Sequence, residues 1–393
     1  MIMKNCGGSR KIVMLPLDFS DNCIGRTVLF ADMLLRFYEV YIIGLSSTGS
    51  VWEPIRDKIS TFNYSIYKSR SRILVLNLFK NIRKLLTKIA NIRPDAIYAF
   101  KPLPSSYGVG LLYKLKGSKI PIILDIDDWE LGLALSAGWK AFPSLLISAL
   151  MENSIRMADA LTVSSHFLRD RFGGYYIPHA VDTDFFDPSK YNREKIREQL
   201  GALEEAVISF IGTPRRHKGV DMIIFALSRL LKEEQEDYKK FKFLFTGDPR
   251  DPYVKSLVNL SYGLLGKHRT LFLGLRPKTE EPHLLAASDI IVIPQKPTYA
   301  SLGQVPAKVF TAMSMAKPII ASNISDLSII LEGCGILVPP GDVDALCGSL
   351  SFLIDQPDLA RKLGQRARMK CLKEYSYRVV GSKLRNIVEN LIR

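Results

Sequence analysis

The chain has 393 residues, of which 47% are hydrophobic and 24% are charged, and this composition excludes disordered and fibrous proteins. Lysine and arginine exceed aspartate and glutamate by 15, which favours anionic partners: phosphates, membrane surfaces or nucleic acids. The cysteines are scattered without a C-x-x-C pair, so we expect neither a metal site nor a disulfide framework but a reduced, cytoplasmic compartment. The apolar run before Asp18 is too short for a signal-peptide core, and no later run reaches the length of a membrane-spanning helix.

The chain opens with a strand, a helix and a second strand. Residues 11–16 form an apolar run, residues 26–37 have helical spacing, and residues 40–44 read as the next strand. The polar loop that precedes the helix carries Gly25 and Arg26. This alternation predicts an α/β domain with a parallel sheet.

A basic helix is predicted between residues 68 and 93. The segment contains eight basic residues and no acidic one. Its apolar residues recur at spacings of three and four, which is typical of an amphipathic helix. Two interpretations stay open: a surface helix whose apolar stripe packs on the sheet, or a helix that contacts an anionic membrane surface. The orientation of Leu78, Phe79 and Ile82 distinguishes them.

Acidic residues follow the strand predicted at residues 122–126, which comes after another strand at 95–100. Asp125, Asp127 and Asp128 surround this strand end, next to Trp129. Ligands bind at the carboxyl ends of strands in α/β sheets. The alternative is a group of solvated loop acids.

The second half of the chain repeats the strand and helix alternation. Residues 207–211 form a predicted strand, residues 212–218 a basic loop with Arg215, Arg216 and Lys218, and residues 219–231 a helix. Strands are also predicted at 243–246, which precedes Gly247, at 271–274 and at 289–294. The end of the chain, residues 358–393, reads as helical.

The segment from Ser301 to Asn323 reads as loop, helix and strand. Gly303 and Pro306 indicate an exposed turn, residues 307–315 have helical spacing, and Pro318 ends the helix before a β-branched strand. A helix that starts after a strand offers free N–H groups to an anion, and Lys308 adds a full charge there. A solvated lysine in an ordinary turn is the alternative.

This segment and several others resemble a known protein family. The pattern G-x-x-P-x-K-x-x-x-A-M-x-x-x-K-P-I-I-A-S, over residues 303–322, resembles the donor-site signature of the retaining GT-B glycosyltransferases of family 4. The runs RPDAIYAF, ADALTVSS, IPHAVDTDFFDP and LLAASDIIVIPQ are similar to other parts of that family. The resemblance implies two Rossmann-like domains that face a cleft, residues 1–190 and 191–375. It also implies a last helix, residues 376–393, that crosses back to the first domain.

The resemblance also implies roles for individual residues. Those implied to be catalytic are Asp127, Lys218 and Lys308; those implied to bind the donor are Gly25, Arg215, Arg216, Gly247, Gly303, Gln304, Val305, Ala307 and Thr311; those implied to bind the acceptor are Asp125, Asp128 and Trp129. The chain departs from the family at Gly303 and Thr311, where relatives carry glutamates, at Thr213, where they carry arginine, and at Asp127, where many carry histidine.

The function implied by the resemblance is transfer of a sugar from a nucleotide-diphosphate sugar to a glycan, a lipid-linked acceptor or a polysaccharide precursor, with retention at the anomeric carbon. Such enzymes are mostly independent of metals, so we expect no metal and no other cofactor. The loss of both glutamates leaves an inactive GT-B binding protein as an alternative. A nucleic-acid-modifying enzyme is less favoured, because the basic stretches lack interleaved aromatic residues. We expect a cytoplasmic protein, peripheral on the inner face of the membrane if the basic helix binds lipid.

Overall fold

The computed structural model describes residues 10–69, 74–138, 142–233 and 240–392. Its contacts divide the chain into two compact domains: residues up to Pro178 with those from Arg378 onward, and His179–Tyr377. The boundary lies before the expected one at residue 190, because the segment that follows Pro178 packs in the second domain. Val181 pairs there with Ser376, and Phe186 is buried in the second core.

A parallel sheet forms the centre of the first domain. Its strands in chain order are β1 (Lys11–Leu15), β2 (Glu39–Ser46), β3 (Asn63–Lys68), β4 (Ala96–Phe100), β5 (Ile122–Ile126), β6 (Ala160–Val163) and β7 (Tyr175–Tyr176). Within the described ranges they form one seven-stranded sheet in the order β3-β2-β1-β4-β5-β6-β7. The central strands β1, β4 and β5 are apolar and almost wholly buried, as expected for a parallel sheet covered on both faces. The predicted strands at 11–16, 40–44, 95–100 and 122–126 are thereby confirmed.

Helices connect these strands. They are α1 (Ile24–Leu34), α2 (Arg56–Ile59), α3 (Leu74–Ile92), α4 (Tyr107–Leu115), α5 (Glu130–Ser136), α6 (Phe142–Asn153) and α7 (His166–Phe172). The predicted basic helix is confirmed as α3. Its residues Ile82, Leu85 and Ile89 are buried in the domain, so this part of the apolar stripe packs inward. Residues 70–73 and the side chains of Leu78 and Phe79 lie outside the described part of the chain.

The second domain also has a parallel sheet at its centre. Its strands are β8 (Ala206–Phe210), β9 (Phe241–Phe245), β10 (Thr270–Phe272), β11 (Ile290–Ile293), β12 (Ile319–Ser322) and β13 (Ile336–Val338). In the described part of the chain they form one six-stranded sheet in the order β10-β9-β8-β11-β12-β13. Starting from β8, the chain adds strands first on one side of the sheet and then on the other, which is the doubly wound arrangement. The carboxyl ends of β8 and β11 therefore lie side by side.

The helices of the second domain cover both faces of its sheet. They are α8 (Arg193–Gln199), α9 (Val220–Leu230), α10 (Pro252–Leu265), α11 (Glu281–Ala287), α12 (Tyr299–Gly303), α13 (Lys308–Ser314), α14 (Leu327–Leu331), α15 (Val343–Asp355) and α16 (Pro357–Glu374). The start of α15 has a clear local cause, since the Asp342 carboxylate accepts a hydrogen bond from the Ala345 N–H at 2.8 Å.

The last helix, α17 (Tyr377–Leu391), belongs with the first domain. Val380 and Leu384 are fully buried, and Gly381 packs against Met33 of α1. The Arg385 guanidinium lies over the ring of Phe37, 4.3 Å from its centroid. The predicted return of the chain to the first domain is confirmed. No helix within the described ranges combines the length and apolar character needed to cross a bilayer.

Candidate functional site

Three loops of the second domain meet at the carboxyl edge of its sheet. They follow β9, β8 and β11, which lie side by side in this order in the sheet. The first two contain Gly247 and Lys218, and the third leads through α12 to Lys308 at the start of α13. The resemblance implied that Lys218 and Lys308 are catalytic and that Gly247 binds the donor. Because the strands are parallel, their carboxyl ends lie on one side, where α/β proteins bind ligands.

Lys308 extends into a buried position at this edge. Its Nζ lies 3.1 Å from the centroid of the Phe210 ring. It has no hydrogen-bond partner among the described residues. Burial, reinforced by the positive charge of Lys218, holds the pKa of Lys308 well below its usual range. Gly212 leaves room for the Lys308 ammonium group, because a Cβ on residue 212 would lie only 3.1 Å from Nζ. The φ of Gly212, +128°, also favours glycine.

Lys218 ends the loop that follows β8. Its Nζ donates a hydrogen bond to the carbonyl of Thr213 at 3.2 Å, so it folds back over its own loop. The next residue, Gly219, has a φ of +63°, and a Cβ there would lie 1.9 Å from the Pro294 carbonyl oxygen. Only glycine fits this position, which joins the basic loop to the end of β11. The structure thus brings Lys218 close enough to Lys308 for its positive charge to lower the pKa of Lys308.

The other basic residues of the loop have different surroundings. Arg216 is exposed, and its guanidinium lies 5.2 Å from the ring centroid of Tyr253. Arg215 is half-buried in the same loop. Gly247 is tightly packed, because a Cβ there would lie 3.0 Å from both Pro214 and Val254. It therefore allows the loops after β8 and β9 to approach each other.

The segment around Gly303 differs from the prediction. Gly303 and Pro306 are buried, so the expected exposed turn is wrong: residues 299–303 form α12, and its Thr298 cap accepts from the Ser301 N–H. Gln304 is half-buried, with its Oε1 3.2 Å from Nε2 of His217. Val305 is buried, whereas Ala307 is exposed at the start of α13. The predicted helix after this segment is confirmed.

Thr311 is joined to a carboxylate that the sequence did not identify. Its Oγ1 donates a hydrogen bond to Oε1 of Glu281, the first residue of α11, at 2.7 Å. Glu281 is only 8% exposed, forms an ion pair with Lys278, and acts on Lys308 as a nearby negative charge. A carboxylate therefore lies beside residue 311, where the resemblance leads us to expect a glutamate, but it comes from a different helix.

In the first domain, Asp125 is an internal residue. It is fully buried at the end of β5, and both its oxygens accept from the Arg26 guanidinium, at 2.6 and 2.9 Å. Thr162 donates a further hydrogen bond at 2.7 Å. Gly25 lies next to Arg26 in α1, with open space where a Cβ would be. A charge this deeply buried requires such a partner, so the pair fixes α1 to the end of the sheet.

Asp127, Asp128 and Glu130 surround one lysine that the sequence analysis missed. Lys101 is 4% exposed, and its Nζ lies 3.2 Å from Asp127 and 2.7 Å from Glu130, with Asp128 also in contact. Its φ of +74° is unusual for a lysine, and its backbone N–H donates to the Asp125 carbonyl at 2.8 Å. Burial raises the pKa of Asp127 to about 6, although Lys101 opposes the shift.

Trp129 completes this region. It is 8% exposed, and its ring packs against Phe167 and the guanidinium of Arg171, with centroid distances of 5.6 and 4.5 Å. The residues predicted to bind the acceptor thus make internal contacts in this structure. Asp127 is the least firmly paired of the acids around Lys101, since its contact is the longest.

Comparison with known proteins shows what this chain is similar to. Residues 205–356 match the model described as "Glycosyl transferases group 1". Alpha-D-kanosaminyltransferase of Streptomyces kanamyceticus is 24% identical over 51% of this chain and 49% of its own length. The MMP alpha-(1->4)-mannosyltransferase of Mycolicibacterium hassiacum is 26% identical over 72% of this chain and 69% of its own. The chain thus spans about half the length of the first relative.

Solved structures agree in fold. Sucrose-phosphate synthase from Thermosynechococcus elongatus aligns with a TM-score of 0.77 over 97% of this chain and 99% of its own, at 17% identity. HepE of Anabaena, solved with UDP-glucose, gives the same score, coverage and identity. The match of residues 205–356 covers the loops that carry Lys218 and Lys308. The chain therefore contains a glycosyl transferases group 1 domain within a GT-B fold of two Rossmann-like domains.

Proposed function

We propose that the protein transfers a sugar from a nucleotide-diphosphate sugar to an acceptor. The observation that carries this proposal is the position of Lys308 in the matched domain: its buried ammonium group has no hydrogen-bond partner within the described ranges and lies beside Lys218. Burial of two neighbouring ammonium groups costs free energy unless an anion binds between them. A diphosphate supplies that anion.

The chemistry requires stabilisation of the leaving nucleoside diphosphate. Negative charge develops on the bridging oxygen as the bond to the sugar breaks, and preorganised cations in a dry site lower this barrier. Lys218 and Lys308 are placed to supply the positive charge. We propose that they do so without a metal ion, and that Gly247 contributes to the donor site by letting the loops after β8 and β9 approach each other. We also propose retention at the anomeric carbon, supported by the resemblance of residues 303–322 to retaining enzymes.

The acceptor proposal is a glycan, a polysaccharide precursor or a lipid-linked glycan. Support for a lipid surface comes from α3, whose residues Lys80, Arg83 and Lys84 are exposed while Ile82 and Leu85 face the core. Each cation held near an anionic surface contributes about 1 kcal/mol. Attraction by α3 is therefore electrostatic, and we propose a peripheral position on anionic membranes.

A second function is favoured by one observation. Gly303 has no carboxylate, and Thr311 has only a hydroxyl that is already bonded to Glu281. This arrangement suits a protein that binds a nucleotide-sugar without transferring the sugar. Binding and turnover therefore need separate measurements.

The test is a panel of UDP-sugars and GDP-sugars, with nucleotide binding followed by calorimetry and turnover by release of UDP or GDP. Lys218→Ala and Lys308→Ala should each weaken UDP or GDP binding about 10- to 100-fold, from ~1.5 to 3 kcal/mol per charged hydrogen bond. Lys255→Ala, at an exposed position on α10, is the matched control and should change nothing. Unchanged affinity in both site variants would refute the proposal; binding without turnover would support the non-catalytic function. The configuration of any product, read by NMR, tests retention.

A further inference from the structure

Helix α6 of the first domain turns an apolar face outward. Phe142 and Leu146 are each 51% exposed, Ile147 is 42% exposed and Leu150 is 70% exposed. At 100° per residue these side chains lie on one arc of roughly 140°. The residue that α6 buries is Ser148. A surface helix normally directs its apolar stripe to the core, so the polarity of α6 is reversed.

The neighbouring helix α4 extends the apolar surface. Leu112 is 39% exposed and Leu115 is 68% exposed. The two helices are adjacent, because the Tyr107 hydroxyl of α4 donates to the carbonyl of Ser154, just after α6, at 2.9 Å. These leucines add exposed apolar side chains to a helix that the hydrogen bond ties to the end of α6.

Basic residues flank this surface. Lys116 and Lys119 are exposed just after α4. Helix α3, which packs on α4, exposes the cations named above. The helices α3, α4 and α6 lie on one face of the sheet, since the crossovers into β4, β5 and β6 all run in the same direction. The acid of α6, Glu152, is paired with Arg171 at 2.9 Å and adds no free negative charge.

We propose that α6 docks the first domain on an anionic lipid bilayer, with its apolar arc in the acyl boundary and the cations of α3 and α4 at the headgroups. The combination of an apolar face and a basic flank fits an interfacial helix. A second copy of the chain fits less well, because it would bring the basic flanks of both copies together. The inference deepens the proposed lipid-surface function, but vesicle binding is measured without any transfer reaction, so either can fail alone.

The proposal differs from attachment through α3 in its response to salt. The described apolar residues of α3 face the core, so α3 can attract a membrane only through its charges. Salt screens this attraction at high ionic strength. Insertion of Leu146, Leu150 and Phe142 removes apolar surface from water, and this contribution persists in salt. Wild-type binding should therefore have a salt-resistant part that depends on α6.

The experiment is sedimentation with phosphatidylcholine vesicles, with and without phosphatidylglycerol, in low and high salt. Wild type should bind the anionic vesicles and keep part of this binding in high salt. The double variant Leu146→Gln, Leu150→Gln should lose the high-salt binding by about tenfold or more, and keep the low-salt binding. The variant Lys80→Gln, Arg83→Gln, Lys84→Gln should show the opposite pattern.

The matched control is Phe352→Gln, Met369→Gln, which changes two apolar residues of the second domain that are 48% and 63% exposed. It should behave as wild type. The four proteins should melt at similar temperatures, because each substitution is at an exposed position. Wild type that stays in the supernatant, or an α6 variant that sediments like wild type in high salt, overturns the proposal. An α6 variant that changes only the oligomeric state in size-exclusion chromatography overturns it too, in favour of self-association.

Discussion

At the scale of single residues, the contact between Thr311 and Glu281 joins α13 to α11 through a buried carboxylate. A hydroxyl that donates to a buried carboxylate stabilises the fold by about 1.5 to 3 kcal/mol in all, which is more than a neutral hydrogen bond contributes. Thr311→Val keeps the shape of the side chain but removes the donor. We expect it to lower the free energy of unfolding by that amount in urea titrations.

The control for this prediction is a double-mutant cycle with Glu281→Gln. Once the carboxylate is neutral, loss of the Thr311 donor should cost less, so the two substitutions should be non-additive. Additive effects would show that the contact between the two side chains contributes nothing to stability.

Asp127 gives a prediction for pH dependence. Its folded pKa of about 6 lies above the unfolded value of about 3.9, so the folded state binds more protons between these pH values. Ionisation of Asp127 therefore lowers the free energy of unfolding, and this loss grows as pH rises from 4 to 6. Asp127→Asn should therefore stabilise the protein at pH 7 by about 1 to 3 kcal/mol and have no effect below pH 4.

Thermal melts between pH 3.5 and pH 8 measure this effect of Asp127→Asn. Asp248 is a control with the opposite sign, because its hydrogen bond to Arg250 lowers the pKa of its carboxyl. Asp248→Asn should lose stability, relative to wild type, above pH 4. A parallel pH dependence for wild type and Asp127→Asn would contradict the assignment.

At the scale of helices and strands, the sequence predicted what local patterns determine. The apolar runs of β1, β4, β5 and β8 and the spacing of α3, α9 and α13 follow from burial on a sheet, so they were found. Strand β3 was missed because it is an edge strand with exposed residues such as Tyr64. Helix α12 was taken for a turn because it is only five residues long and ends in Gly303.

The candidate site was predicted in part for the same reason. Lys218, in a loop, and Lys308, at the start of α13, lie in segments with recognisable spacing, and the structure brings them close enough for the charge of Lys218 to act on Lys308. The partners Arg26, Lys101 and Glu281 were missed, because they lie 99, 27 and 30 residues from the side chains that they contact. Such pairs depend on the order of strands in the sheet, which short patterns do not reveal.

The loop between β8 and α9 gives a prediction at this scale. Gly219→Ala adds a Cβ that collides with the Pro294 carbonyl oxygen and also forces a positive φ on alanine. Gly201→Ala has the same positive φ but nothing within 4 Å of its Cβ. We expect the second variant to lose about 1 to 2 kcal/mol and the first to lose more, with weaker UDP or GDP binding.

Urea titration and nucleotide calorimetry on both glycine variants separate the collision from the backbone strain. Equal losses of stability would mean that the loop shifts to accept the methyl group. In that case the contact between the basic loop and β11 does not require glycine.

At the scale of the whole molecule, the path of the chain connects the two domains twice. The segment after Pro178 enters the second domain, and α17 returns to the first. The expected boundary near residue 190 followed the end of a sequence motif, whereas the observed one follows packing. The Ser314 hydroxyl donates to the carbonyl of Phe186 at 2.7 Å, which ties this motif to α13 of the second domain.

This division predicts which domain responds to changes in α17. Leu384 is fully buried in the first domain, and Leu350 on α15 is fully buried in the second. Each Leu→Ala change removes core volume and should cost about 2 to 5 kcal/mol in its own domain. UDP or GDP, bound by the second domain as proposed, should raise only the melting transition of that domain and so identify it. In calorimetric scans, Leu384→Ala should then lower the transition that the nucleotide does not raise, and Leu350→Ala should lower the other. If Leu384→Ala lowers the nucleotide-sensitive transition instead, α17 stabilises the second domain, and the assignment of the last helix to the first domain is wrong.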